Sequence, residues 1–162
     1  MEEKRCTLSA MEVQIVVGIR RLEVAELSRA KRLFVEVFQE APWHDRWTED
    51  QLDLYFRDLM DGNSSLCLAL YAEEKLIGLC MGRVYHWYEG TEYDIREFCI
   101  AKVWQGKGMG RQFLDLAGSE VAKLGVHMLT LSTLAETSAY EFYQHVGFSV
   151  HKDARFLYKR LG

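Results

Sequence analysis

The chain has 162 residues and a formal net charge of −4; 49% of its residues are hydrophobic, 27% charged and 12% aromatic. That balance suits one globular domain with enough apolar mass to bury a core, and without a cluster of Lys and Arg it offers no footing for a nucleic-acid backbone. No apolar run approaches the ~20 residues that cross a bilayer, and the opening MEEKRCTLSA has no signal-peptide core, so a cytoplasmic protein with no membrane partner is expected.

In chain order, residues 1–12 carry no pattern and read as a frayed arm. Gln14–Ile19 reads as a first strand. From Val24 to Phe38, the residues Leu27, Ala30, Phe34, Val37 and Phe38 recur at helical spacing and define one apolar face. After the single proline, Thr48 precedes Gln51 by three residues, with Trp47 and Leu52 placed to pack across the turn. This capping box opens a second helix that runs to about Met60. Asp61-Gly62-Asn63-Ser64 breaks the pattern, and Leu66–Ala72 and Leu76–Trp87 flank Glu73-Glu74-Lys75 as a hairpin. Tyr93–Ile100 is the fourth strand. A helix with Met109, Phe113, Leu116, Ala117, Val121 and Leu124 along one face leads to a fifth strand at Met128–Thr133. Ser138–Val146 is a short helix stopped by Gly147, and Ser149–Lys159 a final strand pair. With neither repeat nor linker, the order predicts a single domain over residues 1–162, a mixed sheet covered by helices on both faces.

The four cysteines, Cys6, Cys67, Cys80 and Cys99, are widely spaced, and three of them sit in strand-like apolar runs. They read as reduced structural thiols. A nucleophilic Cys99 needs a cationic or basic partner that its local sequence does not supply. The five histidines, His44, His86, His127, His145 and His151, form no i, i+4 pair, so no metal site is expected.

Between the fourth strand and the third helix lies VWQGKGMGRQFLDLAG, Val103–Gly118, with glycines at 106, 108 and 110. Glycines there let the backbone approach a ligand, and the first amides of the helix, at Gly108–Arg111, have no acceptor within it. Such a mouth binds anions, with Lys107 and Arg111 as added cationic donors. A Walker loop is absent, because Lys107 is followed by Gly108 and no hydroxyl residue stands ready for magnesium. Nor do glycines spaced by two after three strands make a dinucleotide fingerprint. A tight turn with no ligand is the remaining reading of the turn taken alone.

Gln105-Gly106-Lys107-Gly108-Met109-Gly110 also fits Q/R-x-x-G-x-G/A, the acyl-CoA pyrophosphate loop of the GNAT superfamily of N-acetyltransferases. Ala139–Phe148, AYEFYQHVGF, is similar to that family's A-x-x-x-Y-x-x-x-G-F signature, and the element order from Gln14 to the end resembles the family throughout. The resemblance implies an α/β (α+β) GNAT fold: a mixed, mostly antiparallel sheet of six to seven strands, with the fourth and fifth strands splayed. It implies acetyl-CoA as co-substrate, its pantetheine arm against the backbone of Phe98, Cys99 and Ile100, its diphosphate on Gln105–Arg111, and further contacts at Glu136, Ala139 and Phe142. Two positions depart from the pattern. Glu136 stands where many members carry an Asn that bonds the CoA arm, and Lys102 where a proline usually follows the fourth strand.

Transfer of an acetyl group to an amine needs a base, because a lysine-like amine of pKa ~10.4 is protonated at neutral pH. Strand periodicity sends Phe98 and Ile100 to one face and Glu97 and Cys99 to the other, so Glu97 is the favoured base. Asp94 is the alternative, on the opposite face unless a bulge rotates it. Tyr143 matches the family tyrosine that protonates the leaving thiolate. With no His-supported Cys, direct attack in a ternary complex is the expected route.

The segment Glu40–Trp47 lies in the family's acceptor region, and its aromatics and carboxylates suit a cationic amine. Tyr85, His86, Trp87, Tyr88 and Glu89 are further candidates for the same cleft. The expected function is N-acetylation of a primary amine on a small molecule or peptide. The alternatives are acetylation of a protein N-terminus or lysine, and a non-catalytic acyl-CoA sensor with the same fold. The family often pairs through edge strands or helices, so a homodimer is compatible with the resemblance.

Overall fold

In the strand β3 (Ser65–Ala72), SLCLALYA, every residue from Leu66 to Ala72 is buried, the mark of a strand covered on both faces. The computed structural model describes residues 2–7 and 14–162. Around β3 lie β1 (Glu2–Thr7), β2 (Gln14–Arg21), β4 (Lys75–Trp87), β5 (Gly90–Ile100) and β6 (Val126–Leu131). They form one six-stranded sheet in the order β1-β2-β3-β4-β5-β6. Every neighbouring pair is antiparallel except β5–β6, which is parallel. The helices are α1 (Leu27–Phe38), α2 (Glu49–Met60), α3 (Met109–Ala122) and α4 (Ser138–His145). The chain divides into two compact units, Met1–Ser132 and Thr133–Gly162; the first holds the sheet and α1–α3, the second α4.

Alternation along the strands sorts the first unit's core by face. Cys67, Ala69 and Tyr71 of β3, Leu79 and Met81 of β4 and Cys99 of β5 pack with Ala30, Leu33, Phe34, Phe56 and Leu59 of α1 and α2. On the opposite face the Phe98 ring lies 5.3 Å from that of Phe113 in α3. Helices thus cover both faces, as expected. α2 begins where its sequence says: Thr48 caps it, accepting from the Gln51 amide while the Gln51 side chain accepts from the Thr48 amide.

Strand ends shift by up to three residues from the sequence reading, the fifth strand lying at Val126–Leu131 instead of Met128–Thr133, and three departures are larger. Val24–Glu26 is a 3-10 turn with Val24 exposed, and α1 starts only at Leu27. Glu2–Thr7, within the expected arm, pairs with β2, while residues 1 and 8–12 lie outside the described residues. The strand pair expected at Ser149–Lys159 does not form; no residue from 149 to 162 is in a strand.

One irregularity positions the site. Along β4 and β5 the register runs Met81↔Glu97 and then Gly82↔Ile95, which leaves Arg96 as an extra residue. Directly opposed residues share a face. Asp94 lies opposite Arg83, two residues on from Met81, so the bulge carries Asp94 to the same face as Glu97, where an ideal strand would put it on the other. Gly82 permits the close approach: a Cβ there would meet the Asp94 carbonyl oxygen at 2.2 Å. Gly82→Ala should therefore cost about 1–3 kcal/mol in urea unfolding. In contrast Gly118→Ala, inside α3 with nothing within 4 Å of the added Cβ, should gain up to about 1 kcal/mol.

Candidate functional site

β5 ends at Ile100, and the chain turns through a 3-10 turn at Lys102–Trp104 into Gln105–Gly108 before α3 begins. Gly106 and Gly108 have φ of 70° and 78°, the left-handed region where a Cβ is penalised. Gly108 is the N-cap of α3 and brings no side-chain acceptor to the first amides. A Cβ at either glycine would meet nothing within 4 Å, so space lies open beside this backbone. Gln105 Nε2 donates to the Ile100 carbonyl at 2.8 Å and ties the loop to the end of β5. Lys107 Nζ donates to the Val103 carbonyl at 2.7 Å and lies 5.9 Å from the Trp104 ring centroid. Met109 is buried, which leaves its backbone as the part that can face a ligand, while Gly110 and the exposed Arg111 complete the first turn. Free amides at a helix mouth are donors suited to a diphosphate or similar anion.

The strand before the loop loses one of its two ladders partway along. β6 pairs with β5 from Thr91↔Val126 to Ile95↔Leu131, and among the described residues it pairs no further. β5 meanwhile stays paired with β4 to Ile100↔Gly78. The splay expected between these strands therefore opens at Arg96, and backbone of Glu97–Ile100 borders it. Phe98 and Ile100 lie on the α3 face, Cys99 on the other. Burial pushes the Cys99 thiol far above its ordinary value, and the neighbouring Glu97 charge adds to this. A thiol held neutral in this way is inert as a nucleophile.

Glu97 occupies the corner between β5 and α2. The Tyr55 hydroxyl donates a hydrogen bond to Glu97 Oε1, and the Tyr55 ring stacks on Trp47 with centroids 5.0 Å apart. Burial pushes the Glu97 carboxyl up to about 7 from an ordinary 4.5. The Tyr55 hydrogen bond and the Arg96 charge oppose that rise, while Asp45 adds to it. Desolvation wins. Tyr55 and Trp47 also line an open cleft of about 530 Å³ with Asp45, Arg46, Gln51, Leu54 and Asp58. Asp94, on the same face of β5, is committed elsewhere: it pairs with Arg96 at 2.9 Å and accepts from Thr130 Oγ1 at 3.1 Å.

In the second unit Thr137 caps α4, accepting from the Tyr140 amide at 3.2 Å. Glu136 just before it is exposed at φ 60°, a conformation that Asn tolerates better than Glu. Ala139, Phe142 and Tyr143 are half-buried. The Tyr143 ring lies 5.3 Å from Phe142 and 5.4 Å from Phe148.

Sequence reasoning missed Tyr55, whose only signal is its place on the inner side of α2 beside Phe56. It also grouped Tyr85–Glu89 with the acceptor region, whereas Trp87 and Tyr88 are 64% and 83% exposed at the β4–β5 turn. A larger cleft of about 780 Å³ opens between α1, the β3–β4 turn and residues 101–103. Its Arg29, Arg32, Lys75 and Lys102 stand against Glu36, Glu73 and Glu74, and Lys102 reaches Glu40 at 3.5 Å. None of the acids or bases among its lining residues is buried, whereas the smaller cleft adjoins the half-buried Glu97 through Tyr55.

The raised Glu97 value has a sign in stability. The folded state holds this proton more tightly than the unfolded chain, so the contribution is complete below pH 4.5 and is lost as pH rises to about 7. Glu97→Gln has no such proton to lose. Chemical unfolding across this range should show the variant gaining on the wild type as pH rises, and parallel curves would show that Glu97 titrates normally.

Residues 35–159 match the acetyltransferase (GNAT) domain family. No curated protein matches the chain. Among solved structures, a possible acetyltransferase from Clostridium difficile 630 is similar at TM-score 0.77 and 14% identity, with 90% of this chain and 99% of that one covered. An aminoglycoside acetyltransferase from an uncultured soil metagenomic sample, in complex with sisomicin, is similar at TM-score 0.70 and 18% identity, with 90% and 97% covered. AAC(6')-Iy in complex with the bisubstrate analogue CoA-S-monomethyl-acetylneamine follows at TM-score 0.69 and 16% identity, with 90% and 99% covered. At these identities the likeness is one of fold. The family match over most of the chain, on a sheet splayed at Arg96 and a glycine-opened helix, makes this protein a member of the GNAT acetyltransferase family, which uses acetyl-CoA.

Proposed function

We propose that the protein transfers the acetyl group of acetyl-CoA to a primary amine on a small molecule or peptide by direct attack in a ternary complex. The whole chain acts as one acetyltransferase domain in this reading. The observation that carries it is Glu97, a carboxylate pushed up to about 7 beside an aromatic, acid-lined cleft. A base of that strength is half ionised near neutral pH and accepts a proton more readily than an ordinary carboxylate.

Acetyl-CoA supplies the acyl group, and this chain's residues orient it. Amides of Gly108, Met109, Gly110 and Arg111 at the mouth of α3 hold the diphosphate, with Gln105, Gly106 and Lys107 shaping the loop. The backbone of β5 at Phe98, Cys99 and Ile100, beyond the β6 ladder, takes the amide-bearing arm as if it were a strand. Glu136, Ala139 and Phe142 are proposed as cofactor-binding residues on the family resemblance alone. In the cleft, Asp45 and Asp58 attract an ammonium group, and the Trp47 and Tyr55 faces add cation–π attraction. That chemistry favours acceptors with more than one amine, and the aminoglycoside-acetylating neighbours support the same choice.

Two protons leave the nitrogen overall. Glu97 takes one; the other ends on the CoA sulfur, where Tyr143 acts as the acid for a leaving thiolate of pKa ~8.5. Asp94 is less suited to be the base, since both of its oxygens already have partners. A neutral, buried Cys99 supports direct attack over an acyl-cysteine intermediate. The cytoplasm is the compartment we assign, in keeping with buried free thiols at Cys67, Cys80 and Cys99.

Release of CoA from acetyl-CoA across a panel of aminoglycosides, polyamines and short peptides tests the reading. Turnover of at least one amine is expected, with kcat/KM rising through a limb near pH 7. Glu97→Gln should lower kcat/KM about 100-fold and remove that limb, and Tyr143→Phe should lower kcat while acetyl-CoA affinity holds. Tight acetyl-CoA binding with no amine turned over would instead identify a sensor.

A further inference from the structure

Glu97 is not one of the walls of the acid-lined cleft, yet the hydroxyl hydrogen-bonded to it belongs to a residue that is. Tyr55 faces both ways. Its ring is clamped, stacked on Trp47 at 5.0 Å and lying 6.0 Å from Phe34, so the hydroxyl has little freedom to swing away. The Trp47 indole in turn donates to Asp45 Oδ2 at 3.4 Å, which fixes one carboxylate of the cleft to the same stack. A cationic amine drawn to Asp45 and Asp58 thus meets the phenol before it can meet the base.

We propose that the Tyr55 hydroxyl relays the proton of an ammonium group bound beside Asp45 and Asp58 to the Glu97 carboxylate. This deepens the acetyl-transfer reading and rests on it. The N–H bond of the ammonium breaks as its proton passes to the Tyr55 oxygen, and the Tyr55 O–H bond breaks as its own proton passes to Glu97 Oε1. Tyr55 ends as it began, Glu97 ends protonated, and the freed nitrogen lone pair attacks the thioester carbonyl. Burial and the hydrogen bond to Glu97 push the phenol far above its ordinary value, so the two transfers are concerted and no phenolate accumulates. The other charges that bear on Glu97 are Asp45 and Arg96; Arg46 and Asp58 face the cleft itself.

Tyr55→Phe keeps the ring and its stack and deletes only the relay oxygen. With an amine that the wild type acetylates, the variant should keep its amine KM within about twofold while the alkaline plateau of kcat falls about 100-fold. Carbon-13 titration of the Glu97 carboxyl should show its midpoint displaced upward in the variant, because the lost hydrogen bond favours the ionised form. A plateau kept within about twofold, with only the pH limb moved, would make Tyr55 a positioning residue and overturn the relay. An unmoved Glu97 titration would overturn it as well, by removing the contact. A wild type that turns over no amine sinks the acetyl-transfer reading along with the relay, whereas a preserved plateau sinks the relay alone.

Discussion

The site depends on β5 keeping a partner on one edge while losing it on the other. The β4 ladder holds β5 from Gly90 to Ile100, but β6 follows it only to Ile95. An unpaired strand edge inside a sheet is unfavourable, because each backbone amide and carbonyl left without a partner loses a hydrogen bond. The β4 ladder and the two core faces keep β5 in place regardless, with Cys99 buried under α1 and α2 and Phe98 against α3. Past Ile95 β5 is therefore a strand laddered to β4 but no longer to β6, and in the proposed reading the amide-bearing arm of acetyl-CoA lies along that side.

The same bulge that begins the splay aims the carboxylates. Arg96 is inserted opposite Met81 and Gly82, and its own side chain points outward, 56% exposed, to pair with Asp94. Glu97 stays behind on the inner face, where the loss of water outweighs both the Tyr55 hydrogen bond and the Arg96 charge. Two acids three residues apart, on one face, therefore differ in character: Asp94 is held as one half of an ion pair, and Glu97 is free to gain and lose a proton near neutrality. A strand without the bulge would separate them by face and leave no such division of labour.

What the sequence makes legible is local. The Thr48–Gln51 capping box, the glycine turn and the apolar face of α3 each rest on residues a few positions apart, and each appears where the pattern puts it except for Leu124, which lies beyond the end of α3 and is exposed. The bulge at Arg96 is a property of two strands in register, and the Tyr55–Glu97 bond joins residues 42 apart; neither leaves a mark in a short window. The strand pair read at Ser149–Lys159 errs for a related reason. Val150, Phe156, Leu157 and Tyr158 suit a strand, yet strand preference describes what a residue would do on a ladder and not whether a ladder is there. In the structure these four side chains are all more than half exposed.

The helix ends differ in what they leave for an anion. α2 and α4 each begin with a threonine whose hydroxyl accepts from a backbone amide in the first turn, Gln51 and Tyr140 respectively. Such a cap satisfies a donor from within, and the helix then has less to offer a ligand. α3 starts instead with Gly108, which carries no acceptor and adopts a left-handed conformation that places open space beside the amides. A Ser or Asp cap in the usual extended conformation would add an acceptor worth only a few tenths of a kcal/mol over glycine, and its oxygen would compete with a phosphate for the same N–H groups. Lys107 is turned back to the Val103 carbonyl, so its charge stands beside this mouth without filling it. In the proposed reading α3 thus does without a side-chain cap at an end whose donors have an outside use.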